Sequence, residues 1–292
     1  MNNLIVVKFG GTSVRDLEHL QNAARKVKEE VDRGNRVVAV VSAQAGVTDR
    51  LIHEFDDAVQ GRERTSSLMA ERDAMLAQGE QENAVLFAEA LREQGLSSKA
   101  FYGDNMPLHV SGEYGSATVD YVETSGLHAF MNSSEVAVPV VPGFQGMNGE
   151  GRVMTIGRGG SDLTAVELAI ALNARRCDIY TDVEGVFTAD PRSDQSAQMY
   201  GNIFYGDMFD MARAGAKVLE KTCVERSMAH EVFLQVLSSR SEVPVGSVLP
   251  GTIVSSAPSQ LKSQGDDQAR NVHYRDQGTG ARFGQALNCV PV

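Results

Sequence analysis

A chain of 292 residues with 42% hydrophobic content is long enough to bury the core of one large α/β domain or two modest ones, with no need of a disulfide scaffold. A formal charge of −11, from 38 acidic against 27 basic residues, argues against a nucleic-acid role, because phosphate-backbone binding requires a basic surface. The three cysteines, Cys177, Cys223 and Cys289, are far apart with no zinc-like spacing, the start carries no leader pattern, and no window approaches the roughly 20 apolar residues of a membrane span, so a cytoplasmic protein with reduced thiols and no membrane partner is expected.

Leu4 to Phe9 (LIVVKF) is a β-branched apolar run, Gly10-Gly11-Thr12-Ser13 is a loop, and Leu17 to Arg33 carries apolar residues at helical spacing, which predicts strand, loop and helix. Lys8 is the informative residue, since an ammonium at the end of a buried strand is costly without an anionic partner. The adjoining glycines let backbone amides approach a phosphate closely. The ordinary alternative is a snorkelling lysine beside a plain turn. Lysine precedes the glycines here, so the segment is not a Walker A loop. Arg36 to Ser42 predicts a buried strand and Thr48 to Val59 a helix. On the loop between them, Ser42 and Thr48 are hydroxyl donors suited to a substrate carboxylate, or simply loop residues. Residues 66 to 95 read as helix broken at Gln78-Gly79-Glu80, with Glu80 a candidate for a substrate ammonium, although a Glu beside Gly is usually surface. Lys99 to Tyr102 predicts a short strand, and Val136 to Val141 a strong one entering Pro142-Gly143-Phe144.

Gly157-Arg158-Gly159-Gly160-Ser161-Asp162 precedes a helix predicted over Leu163 to Leu172, with Ser161 or Asp162 able to cap it. The bland reading is a capped helix with a flexible entry. Three glycines around one arginine point further, to a carboxylate held bidentately by Arg158 and a second anion at the helix amino end. After a strand over Cys177 to Thr181, Thr181 and Asp182 could hold a ribose or base and Arg192 its phosphates, although Asp, Gly and Pro are also what turns use. Helices over Asp207 to Ala214 and Lys217 to Ala229 and a strand near Glu231 to Leu237 follow, and beyond Ser255 the pattern fades. This alternation predicts a mostly parallel sheet with helices on both faces and ligands at the carboxyl ends of the strands. The six histidines form no metal-binding pattern, and His53 and His109 read as surface or packing residues.

Taken together, KFGGTSV at 8 to 14, SAQAGVT at 42 to 48, GEQ at 79 to 81, GFQG at 143 to 146, GRGGSD at 157 to 162, YTDVEGVFTADPR at 180 to 192 and GAKVL at 215 to 219 resemble the aspartokinases, in the same order and spacing. The resemblance covers about residues 3 to 256 and implies the three-layer α/β/α sandwich of the amino-acid kinase fold. It implies transfer of the ATP γ-phosphoryl group to aspartate, giving 4-phospho-L-aspartate, on the route to lysine, threonine and methionine. Mg²⁺ would arrive bound through the ATP phosphates, with no metal cage in the protein. On the matching positions, Lys8 would stabilise the transferring phosphoryl group beside Gly10 and Gly11, and Asp162 would organise Lys8 and the reacting groups. Ser42, Thr48, Glu80, Arg158, Gly159, Gly160 and Ser161 would hold aspartate. Thr181, Asp182, Phe187, Arg192 and Lys217 would line the nucleotide site.

The resemblance implies a catalytic domain over 1–258, with a substrate lobe over about 1–150 and a nucleotide lobe over 151–258. Aspartokinases usually continue into two ACT regulatory domains, whereas about 34 residues follow Pro258 here, and DQARNVHYRDQGTGARFGQA at 267 to 286 is only a faint, short likeness to an ACT start. The expectation is therefore no feedback control within this chain and a homodimer or other homo-oligomer built through the kinase domain. Further departures are Glu220-Lys221 in place of the usual His-Pro, Phe187 in place of a tyrosine, and Ala77 where Ser is more usual. Two other readings stay open. One is a kinase of the same superfamily with a different carboxylate substrate, and the other a catalytically silent paralogue that binds nucleotide as a regulatory subunit.

Overall fold

The computed structural model describes residues 3–216, 218–240 and 251–262. In chain order its elements are β1 (Leu4–Phe9), α1 (Leu17–Asp32), β2 (Arg36–Val41), α2 (Val47–Ala58), α3 (Ser66–Glu93), β3 (Ser97–Ala100), β4 (Leu108–Ser111), β5 (Thr118–Val122), α4 (Ser125–Met131) and β6 (Ala137–Pro142). Next come β7 (Gln145–Met147), β8 (Val153–Thr155), α5 (Gly160–Ala171), β9 (Arg176–Thr181), β10 (Tyr200–Phe204), α6 (Tyr205–Arg213), α7 (Lys221–Ala229), β11 (Leu234–Ser238), β12 (Thr252–Ser255) and β13 (Gln260–Leu261).

The main sheet has the order β13-β10-β12-β11-β9-β1-β2-β6-β3. From β3 through β11 every neighbouring pair is parallel, and the antiparallel pairings are β11 with β12 and β10 with β13. Strand alternation assigns the two faces. Ile5, Val7 and Phe9 pack with Val37, Ala39 and Val41 against Leu20, Ala24, Val27, Phe87 and Leu91 of α1 and α3. Leu4 and Val6 pack with Val38 and Val40 against residues of α4, α5, α6 and α7, including Leu127, Val166, Met208 and Val224. The period of two therefore turns Lys8 toward the α5 side, although its immediate neighbours Val7 and Phe9 face α1 and α3. Burying a side chain such as Phe87 or Leu168 contributes on the order of 1.5–3 kcal/mol. The expected sandwich of helices around a mostly parallel sheet is thus present.

Three expectations change. The helix read as broken at 78–80 is one continuous element of 28 residues, α3. Gly79 does not end it but lets it approach the β2–α2 loop, for a Cβ there would lie 3.0 Å from both Ala43 Cβ and Val47 Cγ1. The helix predicted from Leu163 starts earlier, at Gly160. Its N-cap is Gly159 at φ +73, with no side-chain cap, so neither Ser161 nor Asp162 serves in that role. Thr48 belongs to the first turn of α2 and not to the preceding loop.

A second sheet, β5-β4-β7-β8, has no counterpart in the sequence reading. Its strands run to three to five residues and β5 is half-exposed or exposed throughout, so no long apolar run marks them. Among the described residues no helix is long and apolar enough to cross a membrane. Lys217, Cys289 and the 267–286 segment lie outside the described residues.

Candidate functional site

Lys8 sits at the end of β1, and on its face of the sheet the first turn of α5 lies above it. Asp162 in that turn brings Oδ1 to 2.6 Å from Lys8 Nζ, with both side chains about nine-tenths buried. The ammonium thus has the anionic partner its burial demanded. The geometry is that of an ion pair and not of an aligned hydrogen bond, and Asp162 Oδ1 has no conventional donor.

The pair lies in the wall of a cleft of about 470 Å³, lined also by Gly11, Ser42, Thr48, Glu80, Arg158, Gly159, Gly160 and Ser161. The structure thus gathers the predicted acceptor residues around one space. Ser42 continues from β2, its amide donating to Phe9 O at 3.1 Å and its carbonyl accepting from Asn83 Nδ2 at 2.6 Å. Arg158 is exposed at the α5 end of the cleft, next to the left-handed Gly159. A Cβ on Gly159 would fall 2.3 Å from Glu220 Cγ, so glycine is required here by contact as well as by φ. Glu220 is the N-cap of α7, accepting from Thr222 N at 2.6 Å. The departure at 220 therefore bears on the turn that carries Arg158.

Glu80 is the most perturbed acid in the cleft. Its residue is 3% exposed, and burial raises its pKa from 4.5 to about 7, partly offset by the backbone amides of Ala43 and of Glu80 itself. One carboxyl oxygen, Oε2, is buried with no partner. A carboxyl in this state gains most from a cation delivered by a ligand.

A second pocket, of about 640 Å³, lies at the end of β9 and is lined by Thr181, Asp182, Phe187 and Arg192 with Val183, Met211, Gly215 and Val218. Arg192 Nη2 pairs with Asp182 Oδ2 at 3.0 Å and remains exposed. The two spaces adjoin through the sheet, since β9 is the neighbour of β1 and Gly10 N donates to Tyr180 O at 3.2 Å. That bond occupies the Gly10 amide, and Gly11 is the member of the glycine pair that lines the cleft. His109 stacks on Tyr121 with centroids 4.3 Å apart, away from both spaces.

Two residues of α3 were not read from the sequence. Asp73, fully buried, accepts from Gly115 N at 2.8 Å, Thr155 N at 2.7 Å and Thr155 Oγ1 at 3.0 Å, fixing two cleft-lining residues in place. Arg72 lines the cleft directly. The spacing Arg72, Leu76, Glu80 would have placed all three on one helical face, had α3 been read as unbroken.

Residues 3–238 match the profile of the amino acid kinase family. The chain is 39% identical over 246 residues to the aspartokinase of Rickettsia prowazekii (strain Madrid E), covering 84% of this chain and 54% of that protein. It superposes on the crystal structure of aspartate kinase from Synechocystis with a TM-score of 0.73 at 36% identity, covering 89% of this chain and 41% of that one. It also superposes on E. coli aspartokinase III, solved in complex with aspartate and ADP, with a TM-score of 0.70 at 28% identity, covering 86% of this chain and 64% of that one. The chain spans about half the length of the curated relatives it matches.

Proposed function

This chain belongs to the amino acid kinase family, and on that premise we propose that it transfers the γ-phosphoryl group of ATP to the β-carboxylate of L-aspartate, giving an acyl phosphate. The observation that carries the amino-acid half of this reading is Glu80, a buried carboxyl with an unpartnered oxygen in the same cleft as Lys8 and Arg158. A substrate ammonium supplies the charge that Glu80 lacks, and Arg158 takes the α-carboxylate. The E. coli relative, solved with aspartate and ADP, supports the choice of substrates.

The β-carboxylate is already a nucleophile, so no general base is needed and catalysis reduces to alignment and charge stabilisation. Lys8 is the cation for the transferring phosphoryl group, and Asp162, 2.6 Å from it, holds its ammonium in place. The amino end of α5, carrying Gly160 and Ser161, adds a favourable field for anionic oxygen. Thr181, Asp182, Phe187 and Arg192 form the nucleotide pocket, and Lys217 is assigned to it from sequence alone. Mg²⁺ would come with the nucleotide, held through its phosphates, where it neutralises charge. In this reading residues before about 150 build most of the acceptor half and those after it the nucleotide half, with the 157–162 turn shared.

Hydroxylamine trapping of acyl phosphate, with MgATP and a panel of amino and dicarboxylic acids, tests the proposal. Hydroxamate is expected with L-aspartate. Product with another acid alone would reassign the acceptor, and none with any acid would leave a nucleotide-binding protein without this activity.

A further inference from the structure

Arg72 is a cationic side chain that the reading above leaves unused. It lies on α3 two turns before Glu80, and Arg72, Leu76 and Glu80 all line the acceptor cleft. Eight residues of helix separate the Cα atoms of Arg72 and Glu80 by about 12 Å, which sets a cation and an anion at opposite ends of one face. Arg72 Nε is buried with no hydrogen-bond partner, and no carboxylate pairs with its guanidinium among the described residues. Its chain neighbour Asp73 cannot turn to meet it, because both Asp73 oxygens are taken by Gly115 and Thr155. A buried donor left unpaired is costly, and Arg72 lines the cleft, so an anion entering that cleft is a partner its guanidinium can gain.

Position and charge say what that acceptor is. A Cβ built on Gly115 would lie 3.9 Å from Arg72 Nη1, and one on Gly157 would lie 3.6 Å from Gly115 O, so a single residue separates Arg72 from the turn that carries Arg158. Within the cleft Lys8 and Asp162 neutralise each other, and Asp49 is exposed at the rim. That leaves Glu80 facing two guanidinium groups. One ammonium and two carboxylates complement this set, and the second carboxylate is the one that reacts. We propose that Arg72 is a specificity-determining residue that joins Arg158 in a two-arginine clamp on the non-reacting carboxylate of the acceptor. The inference rests on an amino dicarboxylic acid as substrate and adds that one guanidinium does not suffice to hold it.

Calorimetric titration of wild type, Arg72→Met and Arg72→Lys with succinate and with MgADP tests this without requiring turnover. Succinate keeps both carboxylates and lacks the ammonium. Arg72→Met is expected to weaken succinate binding about tenfold or more while MgADP binding and the melting temperature hold, and Arg72→Lys to restore part of the loss, since an ammonium keeps the charge without the planar fork. The KM for L-aspartate should rise in parallel. Unchanged succinate binding in Arg72→Met, equal loss for succinate and MgADP, or no binding of succinate to wild type would each overturn the inference. Selective loss of succinate in a protein that makes no hydroxamate from L-aspartate would sink the functional reading and leave the clamp standing. Hydroxamate from L-aspartate with Arg72→Met at the wild-type KM would do the reverse.

Discussion

Lys8 and Glu80 carry opposite buried charges into one cleft, and each sets a measurable expectation. Replacing Lys8 by Ala removes the cation proposed for the transferring group and leaves Asp162 buried without its partner. The expected result is a fall in kcat of about 10²–10³-fold or more, read by the hydroxamate assay, with circular dichroism verifying the fold. A Lys8→Ala protein with near wild-type turnover would remove Lys8 from the mechanism. For Glu80 the sign follows from its raised pKa of about 7. A substrate ammonium needs the ionised carboxylate, so below about pH 7 binding must first expel a proton. The KM for L-aspartate is expected to fall as pH rises from about 6 to about 8, and the Glu80→Gln variant to lose that dependence and show a KM at least about tenfold higher. In the unliganded protein the same group acts on stability. Its folded pKa lies above the unfolded 4.5, so its contribution is full below pH 4.5 and is lost as pH rises through about 7. A pH-independent KM would take Glu80 off the ammonium.

At the scale of elements, α3 and α5 decide what β1 and β2 can present. Alternation along β1 sends Phe9 to Phe87 on α3, with ring centroids 5.4 Å apart, and Lys8 to Asp162 on α5. The strand and its lysine were legible because a charged residue interrupts an apolar run. The partner was not, since 154 positions of chain separate Lys8 from Asp162 and only the packing of α5 brings them together. Gly79 shows the limit of local reading in the other direction. A glycine in a helical pattern suggests a break, but here it is a contact residue, pressed against Ala43 and Val47. Gly79→Val is expected to lower stability by about 1–3 kcal/mol through overpacking. Each kcal/mol corresponds to a melting temperature lower by about 2–4 °C. The same change is expected to displace the β2–α2 loop and, on the proposed reading, to raise the KM for the acceptor. A variant as stable as wild type would show that the loop yields freely.

Over the whole molecule, the two ends of the parallel sheet have different tasks. The carboxyl ends hold both pockets. Toward the amino end of β9, Arg176 pairs with Glu30 of α1 at 2.9 Å and with Asp178 at 2.9 Å, all three buried, which ties a helix to the sheet. Burial holds the Asp178 carboxyl above its usual range, at about 6, although Arg176 opposes the shift. Arg176→Met leaves Asp178 buried without its cation, while Glu30 keeps Arg33 at 2.9 Å, and is expected to cost about 3–5 kcal/mol, seen in urea unfolding, with MgADP binding by the folded protein unchanged. An unchanged unfolding midpoint would deny the network its role. By itself the sequence determined the parallel α/β architecture and singled out the glycine-rich loops and the 42–48, 80 and 157–162 segments that meet in one cleft, because periodicity and glycine-rich turns are local properties. The second sheet, the unbroken α3, the Lys8–Asp162 pair, the occupied Gly10 amide and the unpartnered guanidinium of Arg72 were decided only in three dimensions. Burial and the absence of a partner belong to no single segment of chain, since each depends on what distant segments bring to the same place.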